Sequence, residues 1–277
     1  VPRADAAHLI DAVGRWRPAG MYCIPAVWSR VLEAAGPDDR SGADLSCVLH
    51  ADTGTSATPL EFLRRIRNRL PGATTSVFYG SSEAGHHTTL ADWDVERKPG
   101  SVGRAAPPLV VRVDPDGEVC VRGPTLMSGY HDLPDESAAA LVDGWYHTGD
   151  LGHLDDEGYL HITGRKREVI RTGGESVPPP EVEAALADYP GLVEVAVIGI
   201  PDDTWGEIVC AAVVMDRGAE APTVTDLRAH VASRLAASKH PRRVAVVASI
   251  PRTGATGQVQ RTLLRETVLL HQEGIPQ

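Results

Sequence analysis

The chain has 277 residues, 42% hydrophobic and 23% charged, with a formal net charge of -10. At roughly 150 residues per domain this length suits one large domain or two modest ones, and the composition excludes a disordered or fibrous protein. The acidic balance argues against a general nucleic-acid or membrane-surface binder.

In chain order, Thr58-Pro59-Leu60-Glu61 reads as a capping box with proline at the first helical position. Leu60, Leu63, Ile66 and Leu70 follow at helical spacing, which predicts an amphipathic helix over 59–70. Pro71-Gly72 ends it, and TTSVFYG (74–80) reads as a strand, so this stretch carries an α/β signature. From about Ser101 short strands and turns take over. LVVRV, the turn Asp114-Pro115-Asp116-Gly117 and EVCVRG predict a hairpin. Near residue 168 the texture changes again. The elements there are a helix opened by Pro178-Pro179-Pro180-Glu181, strands VEVAVIGI and IVCAAVV, a helix over 225–237, a strand RVAVVASI and a helix after Gly257. Such a mixture in about 110 residues makes a small α+β domain. A charged run at Gly164–Glu168 marks the boundary.

Four constellations could carry chemistry. Tyr79-Gly80-Ser81-Ser82-Glu83 follows the predicted strand. Glycine lets backbone approach a ligand, a hydroxyl can donate to phosphate, a carboxylate can hold Mg²⁺ and a ring can stack on a base. A strand-to-helix turn with Ser82 as N-cap explains the same residues equally well. In Trp145-Tyr146-His147-Thr148-Gly149-Asp150, a carboxylate at a glycine turn can accept from vicinal sugar hydroxyls, or simply form an Asx-turn over an aromatic plug. Gly164-Arg165-Lys166-Arg167-Glu168, running on to Gly173-Gly174, suits phosphate binding, a hinge or a solvated linker. PRTGATGQVQR (251–261) is by itself a polar loop before a helix.

Metal ligation by the histidines is not expected. His86 and His87 are adjacent, and His147, His153 and His161 are too irregular for a helical pair, so surface or locally bonded histidines are the reading. Cys23, Cys47, Cys120 and Cys210 are scattered without a CxxC pair, which indicates neither a zinc site nor a disulfide framework and fits a reducing cytoplasm. There is no apolar run long enough to span a membrane and no signal-peptide pattern at the start.

In this order the constellations resemble the adenylate-forming superfamily of acyl-CoA synthetases, adenylation domains and luciferases. YGSSE is similar to its Tyr-Gly-x-Thr-Glu motif, GEVCVRGPTLMSGY to Gly-Glu-(x)n-Arg-Gly, and WYHTGDLG to Tyr-x-Thr-Gly-Asp. GYLHITGRKREVIRTGGE resembles the hinge motif, and PRTGATGQVQR stands where the family has its C-terminal glycine–lysine motif. The double glycine, the PxEVE helix and Trp205-Gly206-Glu207 most resemble an acyl-CoA ligase. The resemblance implies an α/β plus α+β fold, with 1–166 the C-terminal part of a large AMP-binding domain and 167–277 a small mobile lid. Within the first, 1–100 would be α/β and 101–166 β-rich and barrel-like.

It also implies chemistry: ATP activates a carboxylic acid to an acyl-adenylate, and the acyl group passes to coenzyme A. By resemblance Tyr79 stacks on adenine beside Gly80, Ser82 contacts the α-phosphate and Glu83 holds Mg²⁺. Asp150 takes the ribose hydroxyls, Arg165 supports the nucleotide and Arg167 is the hinge pivot. Gly173 and Gly174 line the pantetheine path. The acyl pocket would draw on residues near 22–28, 50–56 and 79–87.

Two departures stand out. The family's upstream phosphate loop has no counterpart here, so the chain reads as the C-terminal half, with a second chain as one source of the missing part. Gln258 takes the place of the adenylation lysine. Glutamine can hydrogen-bond but brings no charge, and losing a charge-assisted contact of this kind costs about 10²–10³ in rate. Two further readings stay open: a domain that loads a carrier protein, and a non-catalytic protein that binds AMP or acyl-AMP.

Overall fold

The computed structural model describes residues 5–36, 42–54, 58–253 and 257–273. The chain divides into two compact units, residues 1–148 with 152–162, and residues 149–151 with 163–277.

The first unit opens with helix α1 (Ala6–Trp16), where the Asp5 side chain accepts from the His8 N–H as N-cap. Strand β1 (Gly20–Tyr22), helix α2 (Pro25–Ala35), strand β2 (His50–Gly54), helix α3 (Leu60–Arg69) and strand β3 (Val77–Ser81) follow. The strands β1, β2 and β3 pair in parallel. Strands β4 (Gly85–Leu90) and β5 (Arg104–Ala105) extend the sheet antiparallel in the order β1-β2-β3-β4-β5. Trp28, Val31, Leu45, Ala51 and Ile66 are buried together in its core. The Trp28 indole donates to the Asp52 carbonyl at 2.9 Å, which keeps a large buried ring satisfied at its one polar atom. The buried Arg69 guanidinium donates to the carbonyls of Ala35, Gly36 and Ala43, so a cation closes the carbonyl end of α2.

The predicted helix over 59–70 is α3, with Leu63, Ile66 and Leu70 buried as its spacing requires. Its capping box does not form. Pro59 itself is the N-cap, with ψ 146 and no side-chain cap hydrogen bond, so the helix starts one residue later.

The β-rich portion follows: β6 (Val110–Val113), β7 (Glu118–Arg122), helix α4 (Pro134–Ala140), β8 (Leu141–Val142), β9 (Trp145–Leu154) and β10 (Leu160–Arg165). Strands β6 and β7 form the predicted hairpin, Val113 opposite Val119, around a turn in which Gly117 has φ 85. The sheet runs β10-β9-β7-β6 with β8 on β9, and it is open rather than a closed barrel.

The second unit contains β11 (Ile170–Thr172), β12 (Glu175–Val177), α5 (Pro179–Leu186), β13 (Leu192–Asp202), β14 (Gly206–Met215), α6 (Val224–Val231), β15 (Arg243–Val246) and α7 (Arg261–Glu273). Its sheet is β12-β11-β14-β13, with β15 parallel to β14. Both faces of the β13–β14 pair are covered. Val197, Val209, Ala211 and Val213 pack with Val182, Leu186, Leu227 and Val231, while Ala196, Ile198, Ile200, Cys210 and Ala212 pack with Leu264 and Val268. That is why these strands read as unbroken apolar runs instead of alternating ones. Helix α6 stops at Val231, six residues short of the prediction, and begins with a Thr223–Asp226 capping box. Among the described residues no helix is long and apolar enough to cross a membrane. All four cysteines are free.

Candidate functional site

In the first unit the motif residues sit on a tight hairpin. Tyr79, Gly80 and Ser81 belong to β3, the chain turns through Ser82-Glu83-Ala84, and β4 returns from Gly85, whose φ is 76. The strand-to-helix turn with Ser82 as N-cap is therefore not what forms, because pairing of Ser81 with Gly85 takes the chain straight back along the sheet. Gly80 is needed here: a Cβ would stand 2.3 Å from the Gly85 carbonyl oxygen. Ser82 is exposed at the tip.

Glu83 is held by hydroxyls. The Tyr130 phenol donates to its Oε1 at 3.0 Å. Burial works to push this carboxyl up, but its own backbone N–H and the Tyr130, Ser81 and Tyr146 hydroxyls outweigh that and hold it below the usual range. The result is an ionised carboxylate gripped by neutral donors, a hard oxygen ligand of the kind that suits Mg²⁺.

Beneath the tip lies His87, fully buried and so not a surface histidine. Its Nε2 faces Ser81 Oγ at 3.2 Å, and its ring meets Tyr79 edge-on at 4.9 Å and Tyr146 at 6.3 Å. Its Nδ1 has no hydrogen-bond partner among the described residues. Burial pushes its pKa down to about 4, so the ring is neutral and props Tyr79 and Ser81 from below. Nothing in the sequence pattern singled it out, since the signal lies in cross-strand pairing.

In the second unit Asp150 lies mid-strand in β9, directly after Gly149 with φ 71, and not at a turn. It is 8% exposed, and Arg165 Nε approaches its Oδ1 at 3.1 Å. Arg167 is exposed in the short helical turn Lys166–Glu168. Glu168 is not free charge in a linker: Arg261 Nε donates to it at 2.8 Å, and Arg261 also binds Glu183 at 2.7 Å. A cavity of about 320 Å³ opens beside them, lined among others by Arg167, Glu207, Arg261 and Arg265.

Gly173 (φ 58) and Gly174 (φ 84) are the two central residues of the β11–β12 hairpin, a turn that needs positive φ at both. A Cβ on Gly173 would stand 2.6 Å from the Trp205 ring, while at Gly174 the space is open. Arg242 stacks over the other part of this arrangement, 3.8 Å from the Trp205 ring centroid. Glu207 receives the Arg171 N–H and Arg265, so the Trp205-Gly206-Glu207 segment braces the double-glycine hairpin.

Gln258 is half-buried, and its N–H bonds Thr253 Oγ1 at 3.1 Å while the Thr253 N–H bonds its carbonyl at 2.9 Å. The rest of that loop, Gly254–Thr256, lies outside the described residues, as do 55–56 of the expected acyl pocket.

The chain is similar to known proteins in both sequence and fold. Residues 1–131 match the family model of the AMP-binding enzyme, and residues 181–256 match that of the AMP-binding enzyme C-terminal domain. The chain belongs to the adenylate-forming superfamily. Within it, the chain is 38% identical to the indoleacetate–CoA ligase of Aromatoleum aromaticum over 96% of its own length and 53% of that protein's. It is 32% identical to the long-chain-fatty-acid–CoA ligase of Bacillus subtilis, over 98% of this chain and 50% of that one. The crystal structure of ATP-bound MatB from Rhodopseudomonas palustris superposes with a TM-score of 0.84 at 31% identity, covering 96% of this chain and 54% of MatB. The adenylate-forming chain described here thus spans about half the length of the curated relatives it matches, and corresponds to their C-terminal part.

Proposed function

We propose that this protein acts as the nucleotide- and thiol-handling part of an ATP-dependent acyl-CoA ligase. A carboxylic acid attacks the α-phosphate of ATP, pyrophosphate leaves, and the thiol of coenzyme A then displaces AMP from the acyl-adenylate. The observation that carries this reading is Glu83, an ionised carboxylate held by hydroxyls at the tip of the Tyr79–Glu83 hairpin.

In this reading Tyr79, propped by His87, stacks on adenine, and Gly80 lets the nucleotide approach the backbone. Ser82 donates to the α-phosphate, and Glu83 holds Mg²⁺, which would neutralise phosphate charge. Asp150 accepts from the ribose hydroxyls while Arg165 fixes its carboxylate, and Arg167 is the pivot between half-reactions. Gly174 keeps the thiol path open, with Gly173 and Trp205 forming its wall. Gln258 stands at the position of the adenylating lysine, where its amide can donate but brings no charge.

The test is release of AMP and formation of an acyl thioester from a panel of carboxylic acids with ATP, Mg²⁺ and coenzyme A. Production that needs both acid and coenzyme A supports the ligase. Transfer only to a phosphopantetheinyl carrier would replace it with the carrier-loading reading. Gln258 favours a third outcome, acyl-AMP bound without turnover, and that result would leave a binding protein.

A further inference from the structure

The sequence pattern gives no metal site because its ligands do not share a helix or a CxxC loop. The sheet brings them together from the β6–β7 turn (Asp114), from β7 (Cys120) and from β9 (His147). Asp114 Oδ2 lies 3.4 Å from Cys120 Sγ, and Cys120 Sγ lies 3.5 Å from His147 Nδ1. Donor atoms of Asp114, Cys120 and His147 all fall within 4.8 Å of one another. Glu118 Oε2 stands 3.2 Å from the same His147 Nδ1. Donor pairs around a tetrahedral zinc ion, with bonds of about 2.0–2.3 Å, are roughly 3.3–3.8 Å apart.

We propose that Asp114, Cys120 and His147 form a three-ligand site for a divalent transition metal such as zinc, with solvent as the fourth donor and Glu118 standing beside His147. The set of one sulfur, one imidazole nitrogen and one carboxylate oxygen suits a borderline ion and not Mg²⁺ or Ca²⁺. Arg112 donates to both Asp114 oxygens, Nε to Oδ1 at 2.8 Å and a terminal N–H to Oδ2 at 3.3 Å, which fixes the carboxylate beside the thiol and offsets the charge of the two anionic ligands. Cys120 is fully buried, whereas the Asp114 and His147 side chains are each 22% exposed, so the ion has an entry path. Once bound, it ties the β6–β7 turn to β9.

Titration of the purified protein with Co²⁺ tests this directly. One Co²⁺ per chain with a thiolate-to-metal charge-transfer band, displaced by Zn²⁺, is the expected result. Cys120→Ser should abolish the band and weaken binding by about 100-fold, and His147→Ala should do likewise, while Cys47→Ser should keep both band and affinity. No band, or a band that survives Cys120→Ser, overturns the site. If Cys120→Ser fails to fold by circular dichroism, Asp114→Asn decides: affinity lowered at least about tenfold upholds the site and unchanged affinity overturns it.

Discussion

In the proposed reading Asp150 and Gln258 are the residues on which the chemistry turns, for opposite reasons. Asp150 is buried, aimed by Arg165, and can accept two bonds from a ribose. Each such charged hydrogen bond is worth about 1.5–3 kcal/mol, so with two of them lost Asp150→Ala should lower AMP affinity by about 10²–10⁴-fold in calorimetry. Unchanged affinity would reject the ribose role. In the same reading Gln258 supplies a polar group where a charge would strengthen in the transition state. In the full-length context Gln258→Lys should raise ATP–pyrophosphate exchange by about 10²–10³-fold, and a flat result removes the importance given to this position. His87 sets a pH limit. Its folded pKa of about 4 lies below the ordinary 6.5, so the unfolded chain takes up the proton first. Stability from this residue is intact above about pH 6.5 and falls as pH drops towards 4, by up to about 3 kcal/mol. Urea unfolding at pH 7 and pH 4.5 should show that loss, and His87→Phe should flatten it.

At the scale of elements, the sequence was most legible where one local pattern decides. The α3 spacing, the Asp114–Gly117 turn and the apolar β13 and β14 runs all formed as read. It was least legible where tertiary pairing overrode a local option. Ser82 looked like an N-cap, yet the Ser81–Gly85 pairing turned the segment into a hairpin. Asp150 looked like a turn residue, yet Gly149 absorbs the irregularity and β9 runs through. The buried contacts of His87, Arg69 and Arg261 come from residues far apart in sequence, and no spacing rule reveals them. One element signal went unread although it was present: Thr223 three residues before Asp226. Thr223→Ala removes the Oγ1 that accepts the Asp226 N–H, leaving only the backbone half of that capping box, and should destabilise the second unit by about 1 kcal/mol in urea unfolding. An unchanged midpoint would mean that packing of Leu227 and Val231 alone holds α6.

For the whole molecule, two units with separate cores should not melt as one. Ile66→Ala in the first core and Leu227→Ala in the second each remove a fully buried side chain, at a cost of about 2–5 kcal/mol. Differential scanning calorimetry should show each substitution moving a different transition, and a single shared shift would contradict independent cores. The division also has an unusual path. Strand β9 lends Gly149–Leu151 to the second unit and then returns to the first before the chain crosses again at Thr163. A chimera joined at residue 163 would therefore inherit Asp150 from one parent and Arg165 from the other. An incoming segment without an arginine at that place would leave Asp150 without this ion pair, so recombination at this junction should be sensitive to whether both partners of the pair are kept.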